Sequence, residues 1–201
     1  MIVLGLTGSI GMGKSTTAGL FAEQGIPVND ADRVVHDLYS GEAVAPIRTA
    51  FPEAVRDGIV DRAVLAQTLA KNPAKFRELE AIVHPLVRKR ERQFLEAQRV
   101  AGADLVVLDI PLLFETGGQE RVDHIVVVSC DADIQRKRVL ERPGMTPEKF
   151  EMILSRQLPD AEKRARADFI IDTGSGIEAA RNRVTEIIAE LRAEKERKRD
   201  A

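Results

Sequence analysis

Four short stretches without polar interruption, residues 2–6, 105–109, 124–129 and 169–172, divide a chain that elsewhere alternates polar and apolar positions at helical spacing. Runs of that length without period-two alternation are how strands buried on both faces of a parallel sheet read. Strands separated by helical stretches predict a parallel α/β sheet covered on both faces. Ile26-Pro-Val28 is a further short strand candidate, with Gln24-Gly25 stopping the helix before it. From about 43 to 100 the apolar positions follow helices and turns only, so this span reads as a helical insertion flanking the sheet. Within it Asp57-Gly58 marks a turn, Asp61 an N-cap, and Asn72-Pro73 an N-cap followed by a first-turn proline. His84-Pro85 is expected to break that helix and open a long one to about 100. A basic helical pair is expected at about 131–141 and 146–158, turned by Pro143-Gly144, and a last helix from about 176 ending in a charged, solvated tail.

The first strand runs directly into Gly8-Ser9-Ile10-Gly11-Met12-Gly13-Lys14-Ser15-Thr16, and a helical pattern follows. Strand, Gly-x-x-x-x-Gly-Lys-Ser, then helix is the setting of a phosphate-binding loop. Glycines let main-chain N–H groups close around a polyphosphate, and the positive end of the helix faces it. Lys14 then reaches the β- and γ-phosphates and the Ser15 hydroxyl ligates Mg²⁺. The predicted fold is therefore a P-loop nucleoside triphosphatase, three-layer α/β/α around a parallel sheet, with a helical substrate lobe and a helical lid.

Composition narrows the partners. The chain has 201 residues, enough for one core with a subsidiary lobe, and a formal net charge of −2. That balance does not favour nucleic acid or an anionic membrane, and 4% aromatics without Trp argues against base stacking. One cysteine, Cys130, excludes an internal disulfide; it is expected to be a buried, inert thiol. With neither a basic leader nor an apolar run near the ~20 residues a span needs, the protein is expected to be soluble and cytoplasmic, with no membrane, nucleic-acid or obligate protein partner.

A P-loop serves switches, motors and kinases. The Asn-Lys-x-Asp and Asp-x-x-Gly of a switch are absent, because the strand ending in Asp109 continues Ile-Pro-Leu-Leu. A small chain with a helical side lobe and an arginine-bearing helical pair points to phosphoryl transfer onto a small molecule. Such an enzyme must orient a hydroxyl, supply cations to the γ-phosphoryl, and exclude water. Asp32, at the rim beyond the second strand, is the candidate for the first task, accepting the proton late. Helix capping competes as a reading, more strongly for Asp30 than for Asp32. His36 lies one turn beyond Asp32 on the same helix face. Gln135, Arg138 and Arg142 share a face of the first lid helix and Arg156 lies on the second; a solvated basic face is the alternative. Asp109 fits a Walker B carboxylate holding Mg²⁺ through water, or a capping residue. Leu112, Leu113 and Phe114 either wall a substrate pocket or are core.

Taken together, Gly5-Leu-Thr-Gly-Ser-Ile-Gly-Met-Gly-Lys-Ser-Thr16, Asp30-Ala-Asp32 with His36, His84-Pro-Leu-Val-Arg88, Pro111-Leu-Leu-Phe-Glu115, Gln135-x-x-Arg138-x-x-x-Arg142, Arg156-Gln157 and Ala167-Asp-Phe-Ile-Ile-Asp172 resemble the dephospho-coenzyme A kinase family. The resemblance spans nearly the whole chain. It implies ATP-dependent phosphorylation of the ribose 3′-hydroxyl of dephospho-coenzyme A, with Mg²⁺. It also implies a nucleotide core (about 1–32, 103–130 and 165–201), a coenzyme A lobe (about 33–102) and a lid (about 131–164) in one domain. By resemblance Asp32, Lys14 and Arg138 are catalytic, and residues 8–16 with Arg142 hold the nucleotide. His84 and Arg88 fall in the coenzyme A lobe by the same resemblance; with Asp32 they are expected to meet the acceptor, as, from the residues alone, are His36 and Leu113, and Ser15 and Asp109 are expected to meet the metal. Ser9, Met12, Asn29 and Thr173 depart from the family's usual residues. Met12 is expected to make the loop's outer wall bulkier. The alternatives are a shikimate- or gluconate-type kinase, for which an insertion this long is unusual, and a nucleotide-sensing module, which has no need of Asp32 together with Arg138.

Overall fold

The computed structural model describes residues 1–199; Asp200 and Ala201, the end of the expected tail, lie outside them. In chain order, β1 (Ile2–Thr7) passes through the glycine loop into α1 (Lys14–Glu23), then β2 (Val28–Asp30), α2 (Ala31–Leu38) and α3 (Val44–Ala50). A hairpin of β3 (Val55–Arg56) and β4 (Ile59–Val60) precedes α4 (Arg62–Lys71) and the long α5 (Phe76–Val100). The chain continues with β5 (Leu105–Asp109), β6 (His124–Ser129), α6 (Ala132–Leu140), α7 (Pro147–Leu154), α8 (Asp160–Ala165), β7 (Phe169–Asp172) and α9 (Ile177–Arg199). These form two compact units, one of residues 1–29 with 98–201 and one of residues 30–97.

The first unit is built on a sheet ordered β2-β5-β1-β6-β7. β1 pairs in parallel with β5, Ile2 opposite Leu105, and with β6, Leu4 opposite His124; β6 pairs in parallel with β7. Period-two alternation sends Leu4, Leu6, Leu105, Val107, Val126, Val128 and Ile171 to one face, against Leu20 and Phe21 of α1 and Val184, Ile187 and Leu191 of α9. The intervening Val3, Val106, Leu108 and Val127 are buried on the other face. Two covered faces explain why the runs carry no polar alternation. β1 is the central strand, so the loop at its carboxyl end sits on the rim where parallel sheets bind ligands.

The second unit buries Leu38, Ile47, Phe51, Leu65, Leu69 and Val83 around one another. Asp61 caps α4 by accepting from Ala63 N and Val64 N, both at 3.0 Å. Three features differ from expectation. Between β3 and β4, Asp57 (φ 50°) and Gly58 (φ 78°) both take positive φ, the turn that closes a two-residue hairpin; strands of two residues are too short to show alternation. Pro85 does not break α5, which runs through it. Leu79, Ile82 and Val83 before it and Leu86 and Val87 after it pack on the same core, offsetting the cost of a proline inside a helix, about 3 kcal/mol. The second lid helix stops at Leu154, and the separate α8 follows Pro159.

Core packing makes the first test. Phe21 is fully buried and Val100 is 81% exposed. Phe21→Ala is expected to lower unfolding free energy by about 3–5 kcal/mol, and Val100→Ala to change it by less than about 0.5 kcal/mol, read from urea melts.

Candidate active site

The phosphate loop is held by its own protein on every side. Gly13, the N-cap of α1, has φ 89°, and Gly11 has φ 81°, both left-handed. A Cβ on Gly8 would stand 2.4 Å from Val128 Cγ2, one on Gly11 2.4 Å from Val139 Cγ2, and one on Gly13 3.1 Å from Thr173 Oγ1. Strand β6, helix α6 and the end of β7 therefore each press on one glycine. The loop leads into α1, whose first-turn N–H groups have no partner inside the helix.

Lys14 and Asp109 meet at the rim: Nζ lies 2.6 Å from Oδ1, with Asp109 buried at the end of β5. The sequence placed both at phosphate chemistry, and the structure adds that the carboxylate fixes the ammonium.

Arg138 donates from Nη1 to Thr173 Oγ1 (3.0 Å) and from Nη2 to Thr173 O (2.7 Å). The Thr173 hydroxyl donates to Met12 O at 2.8 Å. Gly11, Gly13, Thr16, Arg138, Arg142 and Thr173 border a cavity of about 300 Å³. Arg156 is exposed in the turn after α7 rather than on it. Met12 is not an outer wall: it is buried in the core, with Sδ accepting from Cys130 N at 3.2 Å. The Cys130 thiol is half-buried, and burial raises its pKa in spite of Arg138 beside it. Ile10 is bonded on both sides, its N–H donating to Gln157 Oε1 (3.0 Å) and its carbonyl accepting from Gln135 Nε2 (2.7 Å).

In the second unit Asp30 caps α2, accepting from Arg33 N at 3.0 Å. Asp32, in the first turn, and His36 are exposed, and their side chains bond to no described residue. Along α5, Arg77, His84, Arg88 and Arg92 border a cavity of about 570 Å³ and pair with no described carboxylate. Lys89 and Arg90, by contrast, share Glu42, each at 3.0 Å. Leu113, expected at a substrate wall or in the core, is wholly buried, and a Cβ on Gly5 would lie 3.1 Å from its Cδ1; Leu112 is the exposed member of that segment.

A nucleotide cradle alone does not separate one P-loop kinase from another. Residues 2–179 match the family described as dephospho-CoA kinase. The chain belongs to the dephospho-CoA kinase family. A dephospho-CoA kinase of Agrobacterium fabrum is 63% identical over 193 residues, 96% of this chain and 100% of the relative. A Thermus thermophilus crystal structure superposes with TM-score 0.81 at 36% identity, covering 94% of this chain and 97% of that one. A dephospho-CoA kinase from Campylobacter jejuni, at TM-score 0.72 and 24% identity over 94% and 96% of the two chains, supports the fold. No helix among the described residues is long and apolar enough to cross a membrane.

The donor set suits Mg²⁺. No cluster of three His, Cys, Asp or Glu exists among the described residues to cage a metal, and the exposed Ser15 hydroxyl bonds to none of them. Mg²⁺ is commonly held by one or two protein oxygens together with phosphates and water; the candidate oxygens are the Ser15 hydroxyl and the Asp109 carboxylate, whose Oδ1 lies 2.6 Å from Lys14 Nζ.

Sequence reasoning missed what Thr173, Gln157 and Glu115 do. Glu115 accepts from Leu158 N at 2.8 Å, and the fully buried Lys163 ammonium lies 2.9 Å away, at an angle poor for a hydrogen bond. Burial works to raise the Glu115 pKa, but the Lys163 ammonium and the Leu158 N–H outweigh it, so the carboxyl sits below its ordinary value. A depressed carboxylate contributes stability above the pKa of the unfolded chain and loses it as pH falls through the folded value. Glu115→Gln, which strands a buried ammonium, is expected to cost about 3–5 kcal/mol at neutral pH. The gap to the unaltered protein should close as pH drops below the ordinary glutamate range, measured by urea melts across acid pH.

Proposed function

We propose that this chain transfers the γ-phosphoryl group of ATP to the ribose 3′-hydroxyl of dephospho-coenzyme A, the final step of coenzyme A synthesis. The observation that carries the reading is the Lys14–Asp109 pair at the mouth of a glycine loop, at 2.6 Å, in a chain of this family. The loop over residues 8–16 cradles the triphosphate through those main-chain N–H groups that no protein group takes, Gly11 among them, and Lys14 turns toward its β- and γ-oxygens. Arg138 and Arg142 border the same loop and neutralise charge that grows on the transferring group. Ser15 and Asp109 would hold Mg²⁺, which would further neutralise the phosphate oxygens.

The acceptor is read by the second unit. Asp32 aligns the 3′-hydroxyl; the new O–P bond forms as the bond from the γ-phosphorus to the bridging oxygen breaks, ADP leaves, and the hydroxyl proton passes to the Asp32 carboxylate. A carboxylate of ordinary pKa, about 3.9, cannot strip an alcohol beforehand, so the proton moves late. His36 lies one turn further along α2 and meets the same ribose end. The strip of Arg77, His84, Arg88 and Arg92, none of them ion-paired although Glu80 borders the same cavity, suits an acceptor that carries a diphosphate.

The test is an acceptor panel with Mg-ATP, following ADP release. Dephospho-coenzyme A should turn over while shikimate, gluconate and nucleosides do not; activity confined to one of the others would replace the substrate. Asp32→Asn is expected to lower kcat on the order of 10²–10⁴-fold with ATP affinity kept. Arg88→Ala should raise the KM for the acceptor roughly tenfold and leave that for ATP in place.

A further inference from the structure

Ile10 is the one residue of the loop whose N–H and carbonyl are both taken by distant side chains. Gln135, in α6, is buried and donates to the carbonyl at 2.7 Å; Gln157 accepts the N–H at 3.0 Å. Neither glutamine is loosely placed. Gln135 O lies 3.1 Å from where a Cβ on Gly11 would stand, so the glutamine and the loop are in close contact. Next to Gln157, Leu158 N donates to Glu115, whose carboxylate also faces the buried Lys163.

The carbonyl of Ile10 and the N–H of Gly11 belong to one peptide group. The chain has no cis peptide bond among the described residues, and across a planar trans peptide these two groups point opposite ways. Holding the carbonyl toward α6 therefore aims the Gly11 N–H away from it. That N–H makes no hydrogen bond to a described residue. Glycine at left-handed φ has a wide choice of backbone conformations, so without a restraint this peptide can turn over and present an oxygen where a donor is needed. The bond to Gln157 fixes the preceding peptide in the same way.

We infer that Gln135 and Gln157 are positioning residues for the nucleotide: by clamping the two peptides that flank Ile10, they keep the Gly11 N–H presented to the phosphates. Neither touches the transferring group. Their effect is on how well the loop is organised before the nucleotide arrives, which is worth most to a ligand rich in phosphate oxygens. The inference rests on the kinase reading only for the identity of the nucleotide.

The test compares Gln135→Met, which keeps the length and removes the donor, with Gln135→Glu, which sets an acceptor against the Ile10 carbonyl, and with Gln157→Ala at a half-buried site. Affinities for Mg-ATP, ADP and adenosine are measured by calorimetry without acceptor, and turnover is measured with dephospho-coenzyme A. Each lost hydrogen bond is expected to weaken Mg-ATP and ADP roughly five- to tenfold, Gln135→Glu more than Gln135→Met, with adenosine unmoved. The KM for ATP should rise while that for the acceptor holds. Unchanged ATP affinity, or equal losses for ATP and adenosine, overturns the inference. If a Gln135 variant does not fold, the ATP-to-adenosine ratio of Gln157→Ala decides alone. Should the unaltered protein bind Mg-ATP yet ignore dephospho-coenzyme A, the substrate reading fails, while the phosphate-selective loss still tests the clamp.

Discussion

A main-chain cradle for phosphate works only if the backbone holds its shape before the anion is present, because N–H groups aligned like dipoles repel one another. In this chain the shape comes from close approach. Val128, Val139 and Thr173 each come against a different glycine of the loop, near enough that a Cβ on Gly8 or Gly11 would collide at 2.4 Å. The glycines are usually argued from the ligand side, as room for phosphates. Here the protein's own packing requires them as much. The sheet order puts β1 at the centre, so β6 lies directly beside it to supply Val128 and, one strand further, β7 ends at Asp172, just before Thr173.

Charge is buried around this loop only where it is paired. Removing an ion from water costs several kcal/mol even after relaxation, and an opposite charge close by repays part of that cost. Lys14 with Asp109 and Lys163 with Glu115 follow that rule, at 2.6 and 2.9 Å. Such pairs are weak sources of net stability but strong constraints on geometry, since each charge has few other places to go. Lys14 is fixed at the loop's end, and Glu115 fixes the segment that carries Gln157.

How legible this was in the sequence depends on the range of the interaction. The strands, the loop, the caps at Asp30 and Asp61 and the turn at Asp57-Gly58 follow from residues within a few positions of each other, and the chain states them directly. Pro85 was misread because local propensity was outweighed by an apolar stripe that continues on both sides of it. Thr173 meets Met12 across 161 positions and Gln157 meets Ile10 across 147, and no local pattern reports a contact of that kind. Leu113 stayed open because an apolar run after a strand looks the same whether it lines a pocket or fills the space under Gly5.

The long-range contacts also change what the helical pair is. As a sequence, α6 and α7 read as one basic lid. In the fold, α6 is bound to the loop at two points a turn apart, through Gln135 to Ile10 and through Arg138 to Thr173, which itself bonds Met12. Moving α6 away would break these hydrogen bonds and open the packing of Val139 on Gly11. Helix α7 is joined to α6 more lightly, by the exposed Arg136–Glu151 pair at 3.0 Å and by Arg136 over the ring of Phe150. Exposed pairs of that kind hold on the order of 1 kcal/mol or less. The chain after α7 returns to the loop through Gln157, so both ends of the helical pair are tied to the cradle, and Arg138 on α6 is part of it.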